Sequence, residues 1–354
     1  MEKQTISVFK QKNRWGLTAL CLGLCLLLSP AAVFCVALPQ VLAFVPLILL
    51  AMLGYVGPVS AFASLAMIAF VCGSFYGMWG GICALLFMLP VLICAGYLVE
   101  RHISFWKSAV ITAAAMFASA GAVVALLTVL AGSDVVTALS GLVEEAFRLS
   151  GLFGDQMLIA MMQYGLLEQP HGFLPVMNFG LLSDSVREEL IGSLLLVLDP
   201  TLRLEIPAQM TVGSIAVGIL GQAVLRKGML KKGVAVEYPP LRTWHLPGGW
   251  GRVLGVTFLA LFVLASFMQD RFTGMFYIFS GVMDQVLALQ GIAALCYLLH
   301  SRGRGKKTQG LVFVLGYFVL RSAAVMIGVM DQSFDMTHRR EKLGFANEHG
   351  PFDA

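Results

Sequence analysis

The sequence predicts an all-α, polytopic integral membrane helical bundle of eight or nine transmembrane helices, with an extracytoplasmic helical insertion. Three observations carry that expectation. Of 354 residues, 58% are hydrophobic and only 12% are charged, where soluble domains carry about 25%. Mean hydropathy is +0.83. No charged residue lies between Trp15 and Glu100. About 20 apolar residues cross the hydrocarbon of a bilayer, and only helices or closed barrels satisfy their backbone there. The apolar runs are continuous rather than alternating, which selects helices over barrel strands.

Spans are expected near 17–37, 40–57, 59–76, 79–99, 108–131, 207–226, 250–268, 275–299 and 309–330. Lys3, Lys10, Lys12 and Arg14 precede the first run as they would in a signal peptide. Hydrophobicity resumes after Pro39, so a retained span is the better reading. Gly54, Gly57 and Pro58 interrupt the second and third spans, which are either short or partly re-entrant. The chain then divides into N-terminal membrane helices (1–131), an outer segment (132–206), C-terminal membrane helices (207–335) and a polar tail (336–354).

Lys and Arg in short loops set orientation. They cluster at the N-terminus, at Arg101 and Lys107, between Arg226 and Arg252, and from Arg302 to Lys307. Counting the spans as above puts all four clusters in the cytoplasm. Residues 132–206 then lie outside, with ten acids against Arg148, Arg187 and Arg203. Ser133 is an expected cap for a helix to about Ser150, and Asp155 for one to about Leu167. Ser185 with Glu188 reads as a capping box. Amphipathic helices lying on the membrane or lidding the bundle follow. A ninth crossing leaves His338, Arg339, Arg340 and Lys342 outside, against the trend. A broken or re-entrant last helix is the alternative.

Charges within spans are costly and point to function or pairing. Asp284 and Arg321 sit near mid-depth in the eighth and ninth spans, and Asp331 and Asp335 extend the Arg321 stripe. These four are the candidate substrate-binding residues. Gly281, Ala288 and Gly291 share the Asp284 face, and Tyr317, Ala324 and Gly328 share that of Arg321. Small residues on both faces suit close helix packing. Gln209 and Gln222 are expected to join helices. The seven cysteines all lie in apolar runs without a CxxC pair, so they read as packing residues, with no metal and no cofactor expected.

HExxH, GxSxG and GxxxxGK[ST] are absent. Glu144-Glu145-Ala146-Phe147-Arg148 falls one residue short of the Glu-Glu-x-x-x-Arg motif of CAAX-type intramembrane proteases and lies outside a span. No enzyme is expected, and no nucleic-acid partner. The bilayer is the first partner.

Between Ile206 and Arg340 a series of motifs occurs in order. It comprises Ile206-Pro207-Ala208, Arg226-Lys227-Gly228, Tyr238 to Pro247, Gln290-Gly291, and Gly328-Val329-Met330-Asp331-Gln332-Ser333-Phe334-Asp335. Together they resemble the YybS-like family of bacterial membrane proteins, which is distantly similar to the S components of energy-coupling-factor transporters. Here Met336-Thr337-His338 precedes Arg339 in the closing motif, and the AxxxA docking pattern of S components is missing from Leu17–Ala37. The resemblance implies a multi-pass protein of a bacterial inner or plasma membrane, N-terminus cytoplasmic. It would bind or transport a small molecule with an energising partner. A scaffold that recruits envelope proteins through the outer segment is the alternative.

Overall fold

Uninterrupted apolar sequence leaves the backbone no partner but itself, and the chain answers with helix. The computed structural model describes residues 39–168, 182–246 and 248–334, and among them there is no strand. Among the described residues four helices are long and apolar enough to cross a membrane: Pro58–Glu100, Phe105–Ala131, Asp184–Lys231 and Phe272–Ser301. The bent pair Lys307–Val319 and Arg321–Phe334 would make a fifth, while Phe44–Tyr55 and Val253–Phe267 are apolar but shorter. The expected span 17–37 lies outside the described residues.

Gly121–Pro207 forms one compact unit and the flanking chain forms another. In the flanking unit, α1 (Pro39–Tyr55) leads to α2 (Pro58–Glu100), where Gly77 breaks the helix at φ 73° and ψ 179°. A β-carbon on Gly81 would stand 2.8 Å from the Ala69 carbonyl oxygen. Twelve residues of straight helix would separate those positions by about 18 Å. Residues 58–76 and 78–100 therefore fold back as an antiparallel hairpin, and the third and fourth expected segments are its two arms. Gly77 sits at its tip because only glycine adopts that backbone freely. Leu49, Leu50 and Leu53 of α1 pack on Ile68, Val91 and Leu92 of the hairpin and on Val217 and Leu225. Phe70, Phe75 and Met78 of the hairpin and Val110 of the following helix are exposed apolar side chains, an outer face suited to lipid.

After α3 (Phe105–Ala131), the helix α6 (Asp184–Lys231) runs 48 residues through Pro200 and Pro207. The sequence placed a start at Pro207, since proline suits the first turn. Instead the helix continues through both prolines, although each forfeits an intrahelical hydrogen bond and crowds the carbonyl four residues before it.

Within Gly121–Pro207, α4 (Val135–Leu149) and α5 (Leu152–Gln163) pack with the start of α6 around Leu158, Ile159, Met162, Leu190 and Ile191. Asp155, expected as a cap, is instead fully buried inside α5. It accepts two bonds from Arg187 at 2.7 and 2.8 Å and one from the Leu182 N–H at 2.9 Å. Those Arg187 bonds, above all, hold its carboxyl below the ordinary carboxylate range, against the opposing effect of burial. Helix α6 begins at Asp184, so Ser185 is inside it and no capping box forms. Likewise α4 begins after Asp134 rather than after Ser133.

The C-terminal elements are α7 (Gly248–Phe267), α8 (Gln269–Ser301), α9 (Lys306–Val314), a π-helical turn (Leu315–Val319) and α10 (Arg321–Phe334). Of the two courses expected for the last helix, the chain takes the broken one, with a 109° bend at Leu320. Contacts with α8 give its course. The Gln309 carbonyl meets Cys296 Sγ, Gly316 abuts Ile292, and Tyr317 reaches Gln285. Then Arg321 meets Asp284, Gly328 lies against Leu287, and Asp331 meets Gln290. The chain thus descends along α8 to the level of Asp284 and climbs back toward Gln290. A β-carbon on Gly291 would collide with the Ala324 carbonyl, and one on Gly328 with that of Leu287. Those two glycines let the returning arm lie directly on α8.

Candidate functional site

A lone charge at the centre of a span costs about 2.5–3.5 kcal/mol on insertion scales. Asp284 and Arg321 relieve each other: Arg321 Nε donates to Asp284 Oδ2 at 2.9 Å. Arg321 is also the first residue of α10, so the Asp284 carboxylate stands near the positive end of that half-helix. The pair is partly shielded, with side-chain exposure of 26% for Arg321 and 47% for Asp284.

Beside Arg321 the break leaves a cavity of about 40 Å³, bordered among others by Phe44, Gln209, Val212, Gln285, Tyr317 and Arg321. That is space for roughly three waters. Gln285 is wholly buried, and its Nε2 donates to the Tyr317 hydroxyl at 2.7 Å. Its Oε1 has no hydrogen-bond partner. A buried acceptor left unmade costs about 1–3 kcal/mol, and native interiors hold few of them. Phe44 stacks on Phe318 at 5.7 Å between ring centroids, giving the cavity an aromatic wall.

Of the four residues predicted from sequence, the fold brings Asp284 and Arg321 together. Asp331 lies ten residues along α10, about 15 Å of helix from the cavity. It is buried and accepts from Gln290 Nε2 at 3.2 Å. Gln290 Oε1 in turn accepts the Leu246 N–H at 2.9 Å. Asp331 therefore belongs to the joint between α8, α10 and the loop before α7. Asp335 lies outside the described residues.

The family model of predicted membrane proteins termed DUF2232 matches residues 16–332 of the chain. The chain belongs to that family. No curated protein and no solved structure matches it.

This DUF2232 chain holds a second polar cluster that composition and span counting missed. Arg226, read as a loop residue, is 2% exposed. It donates to Gln222 Oε1 at 3.2 Å, the Glu237 carbonyl at 3.0 Å, the Ile103 carbonyl at 2.6 Å and Ser108 Oγ at 2.8 Å. Gln222 continues the network to Thr112 at 2.9 Å, joining helices as expected. The guanidinium also lies over the Phe105 ring, which packs on Trp106 and Trp244. This cluster ties residues 232–246 to the α2–α3 connection, and its oxygen acceptors come from sequence positions more than a hundred residues apart. Gln285 was missed as well, although it is polar and adjoins Asp284, and Tyr317 was placed on the Arg321 face without a role. Among the described residues no group of His, Cys, Asp and Glu is arranged to hold a metal ion.

Proposed function

We propose that this protein binds a small molecule within the membrane, as part of a transport activity energised by a partner. The observation that carries the proposal is the break at Leu320: two half-helix ends, an ion pair and an unsatisfied buried amide carbonyl converge on one cavity. Discontinuous helices with their ends at mid-depth are how membrane transporters expose backbone and dipoles to a substrate. Residues 307–319 and 321–334 would reach about 19 and 21 Å, each enough for half of a hydrocarbon core of about 30 Å. In this reading the last pair is a deep re-entrant hairpin, not a crossing. The basic tail then stays on the cytoplasmic side with the Arg302–Lys307 loop, which removes the charge conflict of a ninth span. The proposed setting is a bacterial plasma membrane, with a cytoplasmic N-terminus and residues 132–206 outside. The YybS-like and S-component resemblance points the same way. Neither a catalytic role nor a bound cofactor enters the proposal.

The test is native mass spectrometry of the full chain from lipid nanodiscs, wild type against Ala216→Phe, which fills the cavity from α6. Wild type should carry a small molecule that Ala216→Phe lacks at unchanged thermal stability. Identical ligand sets would overturn the proposal. A scaffold role has one observation in its favour: Leu142, Leu149, Phe153, Tyr164, Leu166 and Leu196 are exposed in the outer unit. Replacing Leu149 and Phe153 with Ser should then abolish co-purification of envelope proteins.

A further inference from the structure

We infer that the cavity receives the edge of a neutral amide, with an N–H placed beside its C=O as in a primary amide or a lactam. The inference rests on the small-molecule reading above and adds the ligand's chemistry.

A hydroxyl both donates and accepts. The Tyr317 oxygen already accepts from Gln285 Nε2, so its own hydrogen remains to be donated. No acceptor among the described residues takes it. The Gln285 carbonyl is the converse, an acceptor with no donor. Neighbouring side chains therefore present one free acceptor beside one free donor. Their complement is a molecule that places N–H and C=O on one edge. A trans secondary amide directs the two groups to opposite sides and cannot satisfy both. An ionised carboxylate presents only acceptors and would oppose the Gln285 oxygen.

Charge gives the second restriction. Arg321 is matched by Asp284 at 2.9 Å, and the other named lining groups are uncharged. An ion entering would lose its hydration with no free counter-charge to meet it. The ligand is accordingly neutral. Size gives the third, since about 40 Å³ admits the polar edge of a molecule and little more. Any larger apolar part must lie toward the mouth, along Phe44 and Phe318.

Propionamide and N-methylacetamide share one molecular formula, and only the first places an N–H on the same edge as its C=O. Each would be titrated against the full chain in lipid nanodiscs, with binding read by saturation-transfer NMR. Propionamide should bind at least roughly tenfold more tightly, the equivalent of one satisfied hydrogen bond. Gln285→Met should erase the preference, and Tyr317→Phe should weaken it while leaving the Gln285 side chain in place. Equal binding of the isomers, a preference for N-methylacetamide, or no detectable binding of either would overturn the assignment. Two failures are separable. If Ala216→Phe strips a co-purified ligand yet the isomers bind alike, only the edge assignment falls. If Ala216→Phe changes nothing, the cavity is not a binding site.

Discussion

Consider the ion pair first, through Asp284→Ala, Arg321→Ala and the double replacement. Each single change leaves one charge without its partner at mid-depth, which insertion scales put at about 2.5–3.5 kcal/mol. Arg321 is 26% and Asp284 47% exposed, so some of that cost is relieved by solvent or headgroups. A loss of about 2–3 kcal/mol is expected for each single variant. The double variant removes both charges and should lose less than the sum, giving a coupling of about 1–3 kcal/mol. Exchanging the two residues should recover part of the loss. A carboxylate at position 321 would sit at the start of α10, where a negative charge gains about 0.3–1 kcal/mol. Equilibrium unfolding of the full chain in detergent, monitored by circular dichroism, gives all five values. Equal and additive single losses would refute the pairing as an energetic unit.

Three further outcomes follow from named contacts. Gly291→Ala and Gly328→Ala should each cost about 1–3 kcal/mol by overpacking, whereas Gly310→Ala, whose β-carbon meets nothing within 4 Å, should be neutral or slightly stabilising; thermal unfolding compares the three. Arg226→Lys keeps the charge but cannot reproduce four divergent bonds, and orphaned acceptors at about 1–3 kcal/mol each predict a loss of at least about 2 kcal/mol in the same unfolding measurement. Asp155 has a depressed carboxyl, so the stability it contributes is present above the ordinary value of 3.8 and is lost as pH falls through its lower folded value; in Asp155→Asn, hydrogen exchange of α4 and α5 should be faster at neutral pH and lose that acid-limb dependence.

The helices were legible because apolar runs without charge leave few alternatives. The hairpin at Gly77 was legible in the gap between the expected spans 59–76 and 79–99. Asp284 with Arg321 was legible because charges in such runs are rare and must find one another. A broken last helix was legible in the basic residues that follow it, but the place of the break was not: Leu315 to Leu320 contains no proline, and only its Gly316 departs from ordinary span composition. The chain turns there because Gly291 and Gly328, distant in sequence, permit α10 to lie directly on α8. Pro207 misled in the opposite direction, marking a boundary where α6 continues. Arg226 was hidden because the carbonyls that hold it belong to Ile103 and Glu237, and no local pattern announces them. The cavity's amide escaped notice, and its hydroxyl was given no role, since neither carries the charge that makes a buried group conspicuous.

The course of the last two half-helices underlies the cavity, and one labelling measurement tests it. In a background lacking the seven native cysteines, Lys307→Cys and Ser333→Cys would each be treated with a membrane-impermeant maleimide from either face of oriented vesicles. Both original side chains are exposed. A straight helix over those 26 residues would span about 39 Å and place the two thiols on opposite sides. The re-entrant arrangement predicts that both react from the same side, the one that also labels Lys231→Cys. Labelling of Lys307→Cys and Ser333→Cys from opposite sides would contradict it.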